Sequence, residues 1–415
     1  MEISTVGVVG LGYIGLPTAA ILASKDVKVT GVDVNPLTVE AINRGDVPFV
    51  EPDLATYVGG AVQHGTLRAT ETPEPADAFI IAVPTPFQEG YEPDLSYIRA
   101  AAEAVAPQLS GGELLILEST SPPGATQKMA DWILAARPDL SLDGSEGRPV
   151  IHVAHCPERV LPGRVMIELV TNDRIVGGLT PDAAQYAKDL YAVFCQGEIL
   201  LTDAVTAEMA KLVENSFRDV NIAFANELSL ISDKLGIDVW ELIRLANHHP
   251  RVNILQPGPG VGGHCIAVDP WFIVNADPEQ ARLIRTAREV NDSKPQWVIE
   301  QVEKAVAGIE APKIAALGLA FKADIDDLRE SPARRIVADL ADRLPDADVV
   351  VVEPHIDTLP PELANRRNVS LAEFPVAFDE ADTTVVLVDH SEFKERVAAG
   401  DLANARPIDT RGICS

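Results

Sequence analysis

The sequence predicts an α/β protein in which two doubly wound (Rossmann-like) parallel-sheet domains are joined by an all-helical central domain with one long helix. Three features predict this class. Apolar strand-like runs alternate with helical segments at the start of the chain, and the same plan returns in the last hundred residues. Between them lies a long apolar stripe with helical spacing. A chain of 415 residues suits several domains, which we place at 1–200, 201–306 and 307–415.

Composition excludes several classes of function. The net charge of −28 disfavours nucleic-acid binding, which needs a basic surface. The chain has no apolar run of about 18 residues, so we expect neither a transmembrane helix nor a membrane partner. The four cysteines, Cys156, Cys195, Cys265 and Cys414, lie far apart without a CxxC pair. This spacing is typical of a reducing compartment, and we expect a cytoplasmic protein.

The first strand leads into a glycine fingerprint. Val6, Val8 and Val9 precede Gly10-Leu-Gly12-Tyr-Ile-Gly15, and a helix-like segment follows. Strand, GxGxxG and helix in this order are the context that dinucleotide binding requires. The glycines provide a tight turn, room for the pyrophosphate and close helix–strand packing. The second strand ends around Asp33, where an acid accepts hydrogen bonds from ribose hydroxyls. NAD is therefore the expected cofactor.

Small hydroxyl residues follow two further strands. AFIIAVPTP contains Thr85, and LLILESTSPPG contains Thr120. Ligands of a parallel sheet bind at this edge, although ordinary turn chemistry explains the same residues equally well. His152, His155 and Cys156 faintly resemble metal ligands. His and Cys at a strand end are more often structural, so we expect no metal.

The longest periodic segment runs from Asp203 to Leu235. Its apolar residues recur at three- and four-residue steps, which predicts one helix that connects domains, forms a dimer core, or does both. Lys211, Asn215 and Arg218 form a separate polar stripe suited to an anionic, hydroxylated ligand. The apolar stripe consists of Val213, Phe217, Val220, Phe224, Leu228, Ile231 and Leu235. Further helices are predicted over 239–247, 279–291 and 296–306, the last two separated near Pro295.

The run Gln256–Pro270, QPGPGVGGHCIAVDP, cannot form a helix or a central strand. Its glycines let the backbone approach a ligand, and its prolines stiffen the turns. Cys265 is therefore expected on a shaped loop, where a thiol could act as a nucleophile. In the last hundred residues, IAALGLAF repeats the first strand without its fingerprint, and VVVVEP ends in Glu353. Lys322 and Arg329 are candidate phosphate ligands there.

These motifs together resemble the UDP-glucose/GDP-mannose dehydrogenase family of nucleotide-sugar 6-dehydrogenases over essentially the whole chain. The motifs are VPTPF, ILESTSP, CPERVLPG, TAEMAKLVENSFRDVNIAFANE, HPRVNILQPGPGVGGHCIAVDPWF and GLAFKADIDDLRESP. Ile266-Ala-Val-Asp-Pro follows the cysteine, where UDP-glucose members typically have Phe-Pro-Lys-Asp. The resemblance thus implies the N-acetylhexosamine branch, with UDP-N-acetyl-D-mannosamine as the expected substrate.

The resemblance also implies roles. Cys265 would be the nucleophile and Lys211 the acid/base group, while Asn215 would bind the oxyanion and Glu158 or Asp269 would activate water. The long helix would form a homodimer core, and Arg251 would reach across it. The implied NAD positions are Tyr13, Ile14, Asp33, Thr85, Thr126 and Arg329. The implied UDP-sugar positions are Arg159, Val160, Lys211, Asn215, Arg218, His249, Arg251, Gly262, Phe321, Lys322 and Arg411.

Three alternatives stay open. Within the class, UDP-N-acetylglucosamine or UDP-glucose could be the substrate. A nucleotide-sugar-binding protein could keep the fold without turnover, although Cys265, Lys211 and the intact fingerprint argue against this. A two-electron 3-hydroxyacid dehydrogenase would share the NAD domain and the long helix, but it would have no use for the thiol.

Overall fold

The computed structural model describes residues 3–161, 163–263, 265–374, 381–400 and 407–414. The chain divides into two compact units. The first runs to Glu214 and includes Trp271–Asp277, and the second contains Asn215–Pro270 and the chain from Pro278 onward. The division falls inside the long helix, so most of the predicted central region belongs to the same unit as the C-terminal sheet. The three domains predicted from the sequence, and the two boundaries between them, stay a prediction.

The first unit contains an eight-stranded sheet. Its strand order, β3-β2-β1-β4-β5-β6-β7-β8, places β2 and β3 on one side of β1 and the later strands on the other, as in a doubly wound fold. All pairs in this sheet are parallel except β6 with β7, which run in opposite directions. The strands are β1 (Thr5–Val9), β2 (Lys28–Val32), β3 (Leu67–Thr70), β4 (Ala78–Ile81), β5 (Leu114–Leu117), β6 (His152–His155), β7 (Arg174–Gly178) and β8 (Ile199–Asp203).

Helices cover both faces of this sheet. One apolar core packs α1, α3, α6 and α7 against the sheet, and a second packs α4 and α5 against the other face. Because both faces are covered, strands such as β4 and β5 are wholly apolar rather than alternating. The helices are α1 (Gly15–Ala23), α2 (Pro36–Asn43), α3 (Leu54–His64), α4 (Ser96–Val105), α5 (Ala125–Ala136), α6 (Val165–Thr171) and α7 (Pro181–Tyr191).

The second unit has its own five-stranded parallel sheet, ordered β11-β10-β9-β12-β13. The prediction of two doubly wound parallel sheets is confirmed. Its strands are β9 (Lys313–Leu317), β10 (Asp348–Val352), β11 (Val369–Leu371), β12 (Thr383–Val386) and β13 (Ile408–Asp409). The remaining helices of the chain are α8 (Ala204–Leu235), α9 (Val239–Ala246), α10 (Asp269–Ala276), α11 (Arg282–Ala305), α12 (Pro332–Arg343), α13 (Pro361–Ala364) and α14 (Ser391–Ala398).

The long helix α8 agrees with its prediction within one residue. The Asp203 side chain accepts hydrogen bonds from the Thr206 N–H (2.9 Å) and hydroxyl (2.6 Å) and so caps the start. Gly236 follows the last turn with φ 68°, a conformation that glycine adopts readily. The apolar stripe is not buried within the chain, since Phe217 is 71% exposed and Val213, Phe224, Ile231 and Leu235 are also exposed.

The predicted break near Pro295 is wrong, because α11 continues through it. A proline inside a helix cannot donate the N–H that normally bonds the carbonyl four residues earlier. Here Pro295 is buried, and Asn291 and Val298 on either side of it are also buried. Burial of this face holds the helix together despite the lost hydrogen bond.

Candidate active site

The glycine turn after β1 has the geometry that the fingerprint predicts. Gly10 has φ 93°, and its N–H donates to the Val32 carbonyl (2.8 Å). A Cβ on Gly15 would lie 1.8 Å from the Gly10 oxygen, so only glycine fits there. A Cβ on Gly12 would meet nothing within 4 Å, which leaves open space above the turn. The start of α1 has neither a side-chain cap nor an acid in its first turn, so its N–H groups suit a pyrophosphate.

Asp33 lies at the end of β2 and is tied to the same turn. Its Oδ2 accepts from the Leu11 N–H (3.0 Å), and its Oδ1 accepts from the Asn35 N–H (2.9 Å). A carboxylate has about four acceptor positions, so these backbone donors leave about two. The side chain is only half-buried. The geometry therefore fits an adenosine ribose that donates both of its hydroxyls.

Other predicted cofactor residues lie around this edge of the first unit. Tyr13 is exposed and stacks on Phe49 with ring centroids 4.2 Å apart, while Ile14 is half-buried. The Thr85 hydroxyl donates to the Thr120 carbonyl, which joins the loops that follow β4 and β5. The structure thus brings together two loops that are 35 residues apart in sequence.

Two predicted cofactor residues have other partners. Thr126 is fully buried, and its N–H and hydroxyl donate to Glu208 Oε1 at 2.7 and 2.6 Å. Burial and these bonds give Thr126 a role in fixing α5 against α8. Arg329 lies in the second unit, where it is exposed and paired with Asp327 at 2.7 Å. The NAD contacts that the resemblance implied for both residues stay a prediction.

The glycine loop in the second unit is held at its start by a buried amide network. The Gly258 N–H donates to Asn226 Oδ1 (2.9 Å), and Asn226 Nδ2 donates to Asn291 Oδ1 (2.8 Å). Asn291 Nδ2 donates in turn to Asp219 Oδ1 (2.8 Å), which also accepts from Arg288 (2.6 Å). α8 and α11 together therefore fix where the loop begins.

Farther along, the loop packs so closely that side chains are excluded. A Cβ on Gly262 would lie 2.6 Å from both the Glu330 oxygen and Pro332 Cδ, and 3.1 Å from Phe321 Cβ. Gly263 has φ 85° and lies against the Phe321 ring. Phe321 and Gly262, both predicted to bind the substrate, are therefore in contact.

Cys265 is exposed and begins a turn that leads into α10. Its carbonyl accepts from the N–H groups of Val268 (3.1 Å) and Asp269 (2.9 Å). Asp269, the first residue of α10, is buried, and its Oδ2 accepts from Asn215 Nδ2 at 2.5 Å. Three residues predicted to take part in catalysis are thus linked within the second unit, although Asn215 and Asp269 are 54 residues apart.

The remaining predicted substrate residues differ in their surroundings. Arg159 is paired with Glu214 at 2.6 Å, within the first unit. Arg411 Nε donates to Asp389 Oδ1 (2.9 Å), and Arg411 lines a cleft together with Phe321. Lys211 and Val160 are half-buried, while Arg218, His249, Arg251 and Lys322 are exposed.

Glu158 is surrounded by buried groups that the sequence analysis did not identify. Its Oε2 lies 3.3 Å from Arg174 Nη2, and its Oε1 accepts from the Arg159 N–H at 2.6 Å. Arg174 also lies 3.8 Å from Glu118 Oε1, and both side chains are almost fully buried. A signal was present, since Arg174 lies within an apolar strand and Glu118 directly follows one. Charged residues are seldom buried unless they are paired.

Burial, then the nearby Glu158 charge, raises the pKa of Glu118 to about 8, despite opposing effects of Arg174, Tyr191 and Thr18. One guanidinium cannot offset two buried carboxylates, so one of them keeps its proton at neutral pH. The Cys156 Sγ lies 3.7 Å from Arg174 Nη1, and burial raises its thiol pKa to about 12. Cys156 is therefore a structural thiol.

One group in the described residues has the ligand types of a metal site: Asp324, His355 and His390. His390 Nδ1 accepts from the Asp324 N–H (2.9 Å), so its proton is on Nε2, 3.0 Å from Glu353 Oε2. Both ring nitrogens are engaged, and metal binding would break one of these bonds. This arrangement suits a structural network that joins the ends of β10 and β12.

Models of one family match three consecutive parts of the chain. They describe the UDP-glucose/GDP-mannose dehydrogenase family: its NAD binding domain matches residues 4–195, its central domain 205–293 and its UDP binding domain 315–415. The chain belongs to the UDP-glucose/GDP-mannose dehydrogenase family. NAD is the cofactor of its first domain, which contains the glycine turn and Asp33. None of the helices in the described residues is long and apolar enough to cross a bilayer.

Individual relatives cover the whole length of this dehydrogenase. The chain is 58% identical to NDP-N-acetyl-D-galactosaminuronic acid dehydrogenase of Ralstonia nicotianae, over 100% of this chain and 97% of the relative. It is 56% identical to UDP-N-acetyl-D-mannosamine dehydrogenase of Escherichia coli K12, over 100% of both chains. A solved structure of UDP-D-ManNAc dehydrogenase from Pyrococcus horikoshii is similar with a TM-score of 0.85 and 39% identity, over 99% of this chain and 96% of that one.

Replacing single glycines of the cofactor turn should separate folding from NAD binding. Gly15→Ala places a methyl group against the Gly10 oxygen and should cost at least about 1–3 kcal/mol of stability, seen as a lower melting temperature. Gly12→Ala has room within the protein and should keep the wild-type melting temperature, but it should weaken NAD binding in titration calorimetry about tenfold or more. An unchanged melting temperature for Gly15→Ala would contradict this account of the turn.

The raised pKa of Glu118 predicts how stability depends on pH. The folded protein holds this proton up to about pH 8, whereas the unfolded chain releases it near 4.5, so the contribution of Glu118 to stability falls across this range. Glu118→Gln has no such loss. The melting temperature of the variant minus that of the wild type should rise from pH 5 to 8 and then level off. A difference that stays constant with pH in calorimetric scans would refute the assignment.

Proposed function

We propose that this chain catalyses the NAD-dependent, four-electron oxidation of UDP-N-acetyl-D-mannosamine at C6 to UDP-N-acetyl-D-mannosaminuronate. The observation that carries the proposal is full-length similarity, at 56% identity, to a relative named for this substrate. The name of the Ralstonia relative makes the galacto-configured N-acetylhexosamine the nearest competitor. Both names specify a sugar with a 2-acetamido group, which supports the substrate branch expected from Ile266 and the residues that follow it.

The chemistry needs a hydride acceptor, which bound NAD supplies in each of the two oxidations. We assign its binding to Gly10, Gly12, Gly15 and Asp33, supported by the open space at Gly12 and the free acceptor positions of Asp33. In the first oxidation, Lys211 takes the proton of the C6 hydroxyl, directly or through water. Its position four residues before Asn215 puts both polar groups on the same side of α8.

Cys265 then captures the aldehyde. Its sulfur forms a bond to C6 as the C=O π bond opens, and the oxygen takes up a proton to give a thiohemiacetal. The second oxidation removes the hydride from C6 and the hydroxyl proton and leaves a thioester. Asn215 has two amide hydrogens, and the bond to Asp269 uses one, so the other can donate to the oxygen on C6. Capture on an exposed thiol explains how the reactive aldehyde would be kept until the second oxidation.

Hydrolysis completes the turnover. The oxygen of water bonds to the thioester carbon, a carboxylate takes the proton, and the carbon–sulfur bond breaks to return the Cys265 thiolate. Both acids predicted for this step, Glu158 and Asp269, are buried and fixed by hydrogen bonds. For the UDP-sugar, contact between Gly262 and Phe321 and the place of Arg411 beside the same cleft support their assignment to the substrate.

The substrate and the number of electrons are tested in one assay. Purified protein is offered the UDP derivatives of N-acetylmannosamine, N-acetylgalactosamine, N-acetylglucosamine and glucose, and NADH is counted against uronate by mass spectrometry. We expect two NADH per uronate and the highest kcat/KM for the manno sugar. Preference for UDP-glucose, or one NADH per product, would overturn the proposal.

Cysteine variants measured in the same assay identify the thiol responsible. Cys265→Ser should lose uronate formation by at least about 100-fold, because a hydroxyl is a far weaker nucleophile than a thiolate. Cys195→Ser changes a half-buried cysteine outside the proposed site and should keep wild-type turnover. Uronate formed at the wild-type rate by Cys265→Ser would refute the covalent step.

We also propose a homodimer formed through the exposed apolar face of α8. Five residues of the predicted apolar stripe are exposed along this helix: Val213, Phe217, Phe224, Ile231 and Leu235. Contiguous exposed apolar surface of this kind is typical of protein–protein contacts. A second copy of the same face could bury it about a twofold axis.

Substituting one residue of this face should dissociate the assembly. Phe217→Glu would place an unpaired charge in the interface, and sedimentation velocity should then show monomers where the wild type shows dimers or a higher even assembly. Leu283→Glu, on a 69% exposed residue of α11, is the matched control and should leave the assembly intact. A monomeric wild type, or an unchanged assembly of Phe217→Glu, would contradict the proposed interface.

A further inference from the structure

A buried cluster of charges lies behind the loop that carries Glu158. Arg174 is 4% exposed and Glu118 1%, and Glu158 is also buried. Arg174 Nη2 is 3.3 Å from Glu158 Oε2, and Arg174 Nη1 is 3.8 Å from Glu118 Oε1. The first distance allows a charge-assisted hydrogen bond, and the second is too long for one. Arg174 therefore bonds Glu158 and only faces Glu118.

The Arg174 guanidinium is itself held in place. Its side chain leaves the first residue of β7, and its Cζ lies 4.6 Å from the Tyr191 ring centroid and 5.3 Å from that of Phe194. Tyr191 is the last residue of α7, which packs on β7, and Phe194 lies three residues beyond it. Because the Arg174 side chain starts on a strand and its guanidinium packs on these rings, the guanidinium has little freedom to move. Its position determines where the Glu158 carboxylate can accept its bond.

Glu118 completes the cluster from the opposite side. Its Oε1 accepts from the Tyr191 hydroxyl and its Oε2 from the Thr18 hydroxyl, both at 3.1 Å. These two neutral donors hold the Glu118 side chain beside Arg174 and add no charge to the cluster. With its pKa raised to about 8 by burial and the nearby Glu158, Glu118 carries a proton at neutral pH. The full charge of Arg174 is then left to Glu158.

We propose that Arg174 and Glu118 form a buried positioning pair that sets the orientation of the Glu158 carboxylate for the hydrolysis of the Cys265 thioester. The inference rests on the proposed function, in which Glu158 is one of two candidates for the base. Neither Arg174 nor Glu118 touches the substrate. Arg174 fixes Oε2 and the Arg159 N–H fixes Oε1, so both oxygens of Glu158 are located before any water arrives.

The arrangement also has a consequence at alkaline pH. Among the residues that the structure describes, the ionisable groups that face Glu118 are Arg174 from β7, Tyr191 from α7, and Cys156 and Glu158 from the loop after β6. Burial keeps the thiol of Cys156 and the phenol of Tyr191 neutral in this range. When Glu118 loses its proton, a second carboxylate competes for Arg174. The hold on Glu158 then weakens, and thioester hydrolysis slows.

The test follows the fate of the covalent intermediate by rapid acid quench and intact-protein mass spectrometry with UDP-N-acetylmannosamine. Arg174→Met should lower kcat about 10- to 100-fold, less than the 10²- to 10⁴-fold expected for loss of a base, while the acyl adduct on Cys265 accumulates. KM for the sugar should stay within about twofold. Arg174→Lys keeps the charge but lacks the two guanidinium nitrogens that face Glu158 and Glu118. It should accumulate less adduct than Arg174→Met.

The controls separate this proposal from the proposed function. Arg44→Met removes an exposed arginine paired with Asp46 and should behave as the wild type. Glu158→Gln should accumulate adduct. If it does not, the role given to Glu158 fails, whatever the arginine variants do. If it does, while folded Arg174→Met or Arg174→Lys shows no adduct, the positioning pair is overturned.

Glu118→Gln provides a further variant in case neither arginine variant folds. The amide keeps acceptor and donor groups but cannot ionise. The ratio of its hydrolysis rate to that of the wild type should be constant below about pH 7 and should rise at least about twofold between pH 8 and 9.5. A merely structural role would shift this ratio equally at every pH, and a flat ratio would refute the inference.

Discussion

The satisfaction of buried polar groups is the constraint on which the arrangement of the site depends. Four of the six residues from Gly258 to Gly263 are glycines, so the position of this loop depends on the bonds and contacts of its backbone. Asn226 is central, because one amide accepts from the Gly258 N–H and donates to Asn291. A buried N–H without a partner costs about 1–3 kcal/mol, which makes any other start of the loop unfavourable. The position of the Cys265 thiol therefore depends on the bond from Gly258 to Asn226 and on the close packing at Gly262 and Gly263.

The acid that follows the second strand has a similar place in both sheets but different hydrogen-bond partners. In each, an acid at the end of the second strand accepts from the turn after the first: Asp33 from Leu11, and Glu353 from Leu319 and Ala320. Asp33 accepts two backbone bonds and is half-buried.

Glu353 accepts four bonds, since the His355 N–H and His390 Nε2 join the two from the turn. Burial works against its charge, but the bond from His390 and those from the backbone keep the pKa of Glu353 below its usual value. Three of these bonds are on Oε2 and one is on Oε1, so the carboxylate is largely engaged within the protein. The second sheet thus repeats the strand order of the first, but the acid at the end of its second strand is bonded mainly within the protein.

How much of the structure the sequence predicts depends on how far apart in sequence the interacting residues lie. The start of α8 depends on neighbours within a few residues and lies within one residue of its prediction. The glycine turn also has the geometry that its sequence predicted, although its bond to Asp33 joins residues 22 apart. Pro295 was misread because its local preference is outweighed by burial of a whole helix face. The meeting of Asn215 with Asp269, and of Arg174 with Glu118, depends on strands and helices far apart in sequence. The stripe on α8 shows which residues are apolar, but not which surface covers them.

The two acids between which the sequence left the hydrolytic role open differ in their hydrogen bonds. Asp269 binds the Asn215 amide through Oδ2, and its backbone N–H closes the turn of Cys265. Both bonds fix neighbouring groups. Because one amide hydrogen of Asn215 is bonded to Asp269, the direction of its other amide hydrogen is fixed as well. Glu158 has the reverse relation, because its own oxygens are held by Arg174 and the Arg159 N–H. A base must have its acceptor atoms placed by others, whereas an orienting residue places its partner. Asp269 therefore orients Asn215, whereas Glu158 has its own acceptor atoms held. Which of the two activates water stays a prediction.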